Sequence, residues 1–254
     1  MNLLAIDTAT EKFSVALAAM RNGCRDTWLF EADAGMRHSE LVMDGADILM
    51  QKAALRPSDI EGVVCMGGPG SFTGLRIGFS LAKGLALSLG IPFAPIPTLD
   101  CLAWPLFSWP GIAVPVLDAK KKAFFCALYR NGGRICQDMD ATPDEIAIVL
   151  AESLSSRPKT GILEQALLFG PGAEMLHREL MLLQKNDSNT AGIKAALIYG
   201  KSVRWGNAET LLEVALETRA FDKSDNAEIG DNLFAGPEYI RKSDAELNMS
   251  SIRS

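Results

Sequence analysis

The stretch GGPGSFTGLRIGFSLAKGLALSLGIP, residues 67–92, constrains the fold more than any other part of this chain. Six glycines fall within Gly67–Gly84, yet the run from about Ser71 to Leu89 has helical spacing and stops at Gly90 and Pro92. A glycine inside a helix costs about 0.5–1 kcal/mol relative to alanine, so each one needs a compensating contact. Gly74, Gly78 and Ala82 recur every four residues and make a bare ridge, with Leu75, Phe79 and Ala86 on the adjoining row. Such a ridge lets another backbone approach closely, either within the chain or from a partner. Gly67, Gly68 and Gly70 read as a tight turn, and a turn leading into a helix N-terminus can hold an anion. The lysine of a G-x-x-x-x-G-K-[ST] phosphate loop is missing.

The flanking sequence alternates strands and helices. Leu3–Asp7 is a buried-looking strand ending on an acid, and Ser14–Met20 is a second strand. Asn22-Gly23 turns it back along Asp26–Glu31 as an antiparallel hairpin. In HSELVMDGADILMQKAAL, Leu41, Ile48 and Leu49 share one helical face, with Val42, Ala46, Met50 and Ala53 on the next. That helix ends before Arg56-Pro57, because a residue preceding proline avoids helical angles. Gly62–Met66 is a short buried strand. Residues 91–111 hold five prolines and two tryptophans and read as a domain hinge. The pattern then restarts with Ala113–Asp118, again ending on an acid, and Ala123–Tyr129. A turn at Asn131-Gly132-Gly133 and a return over Arg134–Met139 follow. Thr142-Pro143-Asp144-Glu145 is a capping box that starts a helix. Leu167–Phe169 is a strand, Ala173–Leu183 a helix, and Asn207 caps a helix to Thr218. Two related α/β halves are expected, residues 1–100 and a less regular 101–254.

The chemistry on offer is sparse. The 254 residues are 48% hydrophobic, enough for a sizeable core. No Lys/Arg run stands out, and a net charge of −6 argues against strong RNA binding by the chain alone, a local patch apart. The five cysteines form no C-x-x-C pair, and the two histidines, His38 and His177, are far apart, so no metal site is expected. His38 reads as a cap or surface residue. Scattered thiols suit a reducing compartment, and with no signal peptide or membrane span in view a cytoplasmic location is expected. Asp7-Thr8-Ala9-Thr10 is similar to the Mg²⁺-phosphate turn of the sugar kinase, heat-shock and actin superfamily, with Ala9 where a glycine is usual. The bland alternative is a turn capped by its own Asp and Thr side chains. Asp118 either holds a metal-bound water across a cleft from Asp7 or pairs with the lysines at 120–122. No Ser/His/Asp or Cys/His set is indicated by spacing.

As a unit, GGPGSFTGLRIGFSLAKGLAL resembles the signature of the TsaB (YeaZ) family. LLAIDTAT, HSELVMDGADILM, IPTLDCLA, VPVLDAKKKAFFCALY and GPEYIRKSDAE support the likeness. It spans nearly the whole chain, loosely over residues 143–230, and Lys185–Gly206 reads as an unmatched irregular insertion. The resemblance implies the two-lobed ASKHA (actin/hexokinase/Hsp70-like) fold, with ribonuclease H-like lobes and mixed sheets. It implies a non-catalytic partner of TsaD, joined by TsaE, in forming N6-threonylcarbamoyladenosine at position 37 of tRNAs reading ANN codons. The tRNA is then met through the complex, and the chain alone forms a homodimer. Family members pair through the helices matching those after His38 and Ser71, which puts Leu41, Ile48, Leu49, Gly74, Leu75, Gly78, Phe79 and Ala82 at the partner interface. No catalytic residue or metal ligand is implied, since TsaD-like catalysts use an H-x-x-x-H pair that His38 lacks. Asp7, Thr8 and Thr10 stand as a vestigial phosphate turn, and weak ATP or ADP binding at a subunit interface is left open. The competing reading is a stand-alone ATP-binding enzyme of the sugar-kinase-like superfamily, resting on Asp7, Thr8, Thr10 and Asp118.

Overall fold

A computed structural model of the chain describes residues 1–33, 38–155, 164–183, 193–194, 196–203, 205–218, 220–221 and 236–237. The His38 side chain and most of the GPEYIRKSDAE motif lie outside the described residues, as does much of 185–206.

Up to α2 the first half is built as read. β1 (Leu3–Asp7), β2 (Lys12–Arg21) and β3 (Cys24–Asp33) run antiparallel in sequence, and α1 (His38–Lys52) follows. β4 (Gly62–Gly68), α2 (Phe72–Leu89) and β5 (Phe93–Pro97) complete a sheet of order β3-β2-β1-β4-β5, parallel from β1 to β5. Asn22 and Gly23 both have positive φ, 51° and 81°, which gives the hairpin turn its required twist. Ser71 caps α2 by accepting from the Gly74 amide at 3.2 Å, and Gly90 ends it in the left-handed conformation.

α3 (Thr98–Ala103) leads into the second half: β6 (Ile112–Asp118), β7 (Phe124–Cys126), β8 (Tyr129–Arg130), β9 (Gly133–Arg134) and β10 (Met139–Ala141). Then come α4 (Pro143–Ser155), β11 (Ala166–Phe169), α5 (Ala173–Leu182), β12 (Leu197–Tyr199) and α6 (Ala208–Glu217). The second sheet has the order β10-β7-β6-β11-β12, with β8 beside β6. Two antiparallel pairings followed by two parallel ones repeat the topology of the first sheet. This duplication of one mixed sheet is the two-lobed ASKHA architecture.

Strand alternation divides the core. Leu4 and Ile6 of β1 face α1 and α2 and pack with Val42, Ala46, Phe79 and Ala82. Leu3 and Ala5 point the other way, onto Leu211, Leu212 and Ala215 of α6. The second sheet is covered on one side by α4 and α5 through Ile146, Leu150, Leu176 and Leu180. Its other side packs on Leu99, Leu102 and Ala103 of α3. α3 is also tied to the first sheet, because Thr98 Oγ1 accepts from the Gly68 amide at 3.1 Å. On the second-sheet side, Asp100 of α3 accepts from the Tyr129 hydroxyl at 2.6 Å and from Arg134 at 2.5 Å.

Three expectations need correction. Residues 91–111 are not simply a hinge, because 93–97 form an edge strand, where Pro95 and Pro97 are tolerated. The return over 134–139 holds only the last residue of β9 and the first of β10. The segment 185–206 contains β12, a three-residue half-buried strand on the far edge of the second sheet. α6, late in the chain, covers the first sheet.

Candidate functional site

The Asp7–Thr10 turn lies where β1 leaves the first sheet. Asp7 and Thr8 are buried. Asp7 Oδ1 accepts from the Ala9 amide at 3.0 Å, so the acid closes its own turn. Thr10 Oγ1 donates to Lys12 O at 2.9 Å.

The space above this turn is filled by the start of α2. Thr8 Oγ1 donates to Gly74 O at 2.7 Å, and the Ser71 amide donates to Ala9 O at 2.8 Å. A Cβ on Gly70 would lie 2.7 Å from Ala9 O, one on Gly78 2.5 Å from Thr8 Oγ1, and one on Gly74 would overlap Thr8 O. The bare ridge is therefore the bed on which the turn rests. Its neighbour is inside the lobe.

Asp7 is also the end of a row. Register pairs Asp7 with Ser14 and Ser14 with Glu31 across β1, β2 and β3. The N-terminus of α6 caps this row: the Ala208 amide donates to Ser14 Oγ at 2.9 Å and Asn207 Nδ2 to Glu31 Oε2 at 3.1 Å. The positive end of the helix dipole thus meets the Glu31 carboxylate and the Ser14 hydroxyl. Burial pushes the Asp7 carboxyl up to about 7, Glu31 adds to the rise, and the bonds from Ala9 and Ser14 oppose it. Burial likewise pushes the Cys65, Cys101 and Cys126 thiols up, which makes them poor nucleophiles. Asp118 pairs with Lys120 at 2.8 Å. His177 stacks on Tyr199, with ring centroids 5.8 Å apart. Among the described residues no group of three His, Cys, Asp or Glu side chains is placed to hold a metal ion, and no helix is long and apolar enough to cross a membrane.

Most of the residues expected at a partner interface are buried within this chain. Gly74, Leu75, Gly78, Phe79 and Ala82 are buried beneath α2, and Leu49 is in the core. Leu41 is half-buried against the same core, and Ile48 is 43% exposed. The ridge faces Thr8, so the opposite side of α2 is the outward one. That side carries Thr73, Ser80, Gly84, Leu87 and Ser88, all exposed. Leu87 is 65% exposed, and a Cβ on Gly84 would meet nothing within 4 Å.

Comparison with known proteins gives one answer. The family model for TsaD, tRNA N6-adenosine threonylcarbamoyltransferase, matches residues 32–249. The tRNA threonylcarbamoyladenosine biosynthesis protein TsaB of Bacillus subtilis (strain 168) is 30% identical over 183 residues, 71% of this chain and 75% of its own. The protein of that name in Escherichia coli (strain K12) is 33% identical over 133 residues, 52% of this chain and 56% of its own. The structure of YeaZ from Pseudomonas aeruginosa superposes with a TM-score of 0.64 at 20% identity, over 94% of this chain and 99% of that one. The chain belongs to the TsaB (YeaZ) family.

In this TsaB-family chain the sequence held one signal for the outward face that spacing alone did not separate from the ridge. Gly84 is out of phase with Gly74 and Gly78: ten residues past Gly74 is nearly three full turns, but displaced by about 80° round the helix. A mid-helix glycine on its own row has no core contact to compensate it.

Proposed function

We propose that this chain is a partner subunit, without transferase chemistry of its own, in the formation of N6-threonylcarbamoyladenosine at position 37 of tRNAs reading ANN codons. Its partner is a TsaD transferase, with TsaE as a third member, and its place of work is the cytoplasm. The observation that carries this reading is the docking of α2 on the Asp7–Thr10 turn. Where a phosphate-binding turn keeps backbone N–H groups open to its ligand, Ala9 is bonded to Asp7 and Gly74 covers Thr8. The TsaB names of the relatives and the match to the TsaD model support a chain built like the transferase and working beside it.

The pairing surface in this reading is the outer side of α1 and α2, around Ile48, Gly84 and Leu87. A bare glycine one turn before the exposed Leu87, with Ile48 exposed on α1, suits close helix packing, and the same surface serves a homodimer when the chain is alone. Reconstitution tests the reading: TsaD, TsaE, the adenylate-forming enzyme, tRNA, threonine, bicarbonate and ATP, with and without this chain. Modification that requires the chain is expected, and equal rates without it would sink the proposal.

The second reading, a stand-alone ATP-binding enzyme, keeps one observation, the buried acid at the end of β1. It requires ATP affinity in the isolated chain that falls on Asp7→Ala.

A further inference from the structure

The β6–β7 hairpin turns through three lysines that all adopt left-handed backbone. Lys120, Lys121 and Lys122 have φ of 63°, 53° and 63°. L-residues with a Cβ adopt this conformation at a cost of about 1–2 kcal/mol each, and glycine or asparagine is the ordinary choice. The chain follows that rule at its other hairpins, with Asn22-Gly23 between β2 and β3 and Asn131-Gly132 between β8 and β9. In sequence these lysines read only as partners for Asp118; their backbone makes them stand out. Strain concentrates where a side chain is needed for something other than the fold.

What these side chains offer is positive charge at an exposed turn. Lys120 is the anchor: its amide donates to Asp118 Oδ1 at 2.7 Å and its ammonium to Asp118 Oδ2 at 2.8 Å, with Glu11 adding a second negative charge nearby. Ala119 and Ala123 close the loop, the Ala119 amide bonding Ala123 O at 3.1 Å. Gly172, at the start of α5, is packed against the Asp118 amide, where a Cβ would come within 2.8 Å. The turn is thus braced from below, and Lys121 and Lys122 are exposed at its tip.

We propose that the Lys120–Lys122 turn contacts the phosphate backbone of the RNA handled by the assembly. This rests on the subunit reading above, which supplies the RNA. Ammonium groups are compact point charges that bind phosphate without demanding a fixed geometry, and neighbouring lysines match a repeating polyanion. The net charge of −6 repels RNA from the rest of the surface, so a local basic turn both attracts it and sets its orientation.

The test is fluorescence anisotropy with a labelled unmodified tRNA transcript, titrated at 50–200 mM KCl. It is run on the isolated chain and on the reconstituted assembly. Each phosphate neutralised contributes about −0.9 to the slope of log affinity against log salt for a duplex. Lys121→Gln with Lys122→Gln should flatten the slope by about 2, and Lys121→Arg with Lys122→Arg should preserve it. Lys121→Asn with Lys122→Gly relieves the backbone, so it should melt at a higher temperature while binding RNA more weakly. Equal RNA affinity and slope in all variants overturns the proposal. So does loss of affinity for the protein partner with an unchanged RNA slope, which would assign the turn to an acidic protein surface. If the chain does not support modification at all, the subunit reading fails, and the isolated chain's salt slope still reports on the turn.

Discussion

Gly74 lies directly on the carbonyl of Thr8, with no room for a methyl group between them, and Thr8 in turn donates its hydroxyl to the carbonyl of Gly74. Two residues 66 positions apart are thereby locked by a side-chain-to-backbone bond and a close backbone approach. This contact joins the turn at the end of β1 to the first turn of α2. It explains why a helix tolerates glycine there, and it decides which side of α2 is left for anything else.

Opposite outcomes are expected for two alanine substitutions in the same helix. Gly74→Ala forces a Cβ into Thr8 O, which is backbone and cannot swing away, and should destabilise the chain by about 1–3 kcal/mol. Gly84→Ala adds a methyl in open space and should stabilise it by about 0.5–1 kcal/mol. Thermal melting of the two variants measures both. A neutral Gly74→Ala would mean that α2 does not rest on the turn.

Asp7 should make stability fall with rising pH. Its carboxyl is shifted from 3.8 to about 7, chiefly by burial. Between those values the folded chain keeps a proton that the unfolded chain has released, so unfolding becomes easier as pH rises through this window and levels off above it. Asp7→Asn keeps an oxygen for the Ala9 amide and removes the titration. Relative to the native chain, the variant should gain roughly 2–3 kcal/mol between pH 5 and 8. Urea denaturation at four pH values reads this directly, and parallel curves for the two proteins would contradict it.

Much of this fold is legible locally. Asn22-Gly23, the cap at Ser71, the stop at Gly90 and the Thr142–Glu145 capping box each act over a few residues, and each element they bound is present. What sequence pattern does not carry is which neighbour covers a face. The spacing of Gly74 and Gly78 defines a ridge, but Thr8, which fills it, is supplied by tertiary packing. The same holds for Ser14 and Glu31, whose partners at the start of α6 are nearly two hundred residues away. β5 was obscured by prolines that only an edge position permits, and β12 by being three residues long.

Asp100 should act as the bolt between α3 and the second sheet. Its Oδ1 receives the hydroxyl of Tyr129, itself buried, and two nitrogens of Arg134, which also pairs with Asp138. Asp100→Ala leaves a buried phenol and a half-buried guanidinium without that acceptor, at a cost of about 1–3 kcal/mol. Chemical denaturation of Asp100→Ala, Tyr129→Phe and the double variant should give strongly non-additive losses, because both remove one shared contact. Additive losses would show that Tyr129 is held by packing alone.

The proposed pairing surface yields the sharpest separation between folding and assembly. Leu87 is 65% exposed and Gly84 faces open space, so neither contributes to the isolated lobe. Leu87→Asp should leave the melting temperature of the isolated chain within about 2 °C of native, since exposed changes of this kind stay within about 0.5 kcal/mol, and Gly84→Leu should not lower it, since it replaces a mid-helix glycine with a better helix former. Each should weaken pairing with TsaD at least tenfold, about 1.4 kcal/mol, the first by placing a charge in an apolar contact and the second by holding two helices apart. Gly78→Leu should behave in the reverse way, lowering stability through its clash with Thr8 before any partner is added. Calorimetric titration of the three variants, read beside their melting curves, distinguishes the two sides of α2. If Gly78→Leu melts normally and only pairing suffers, the ridge faces the partner after all. If Leu87→Asp pairs as tightly as the native chain, the contact lies elsewhere on the molecule.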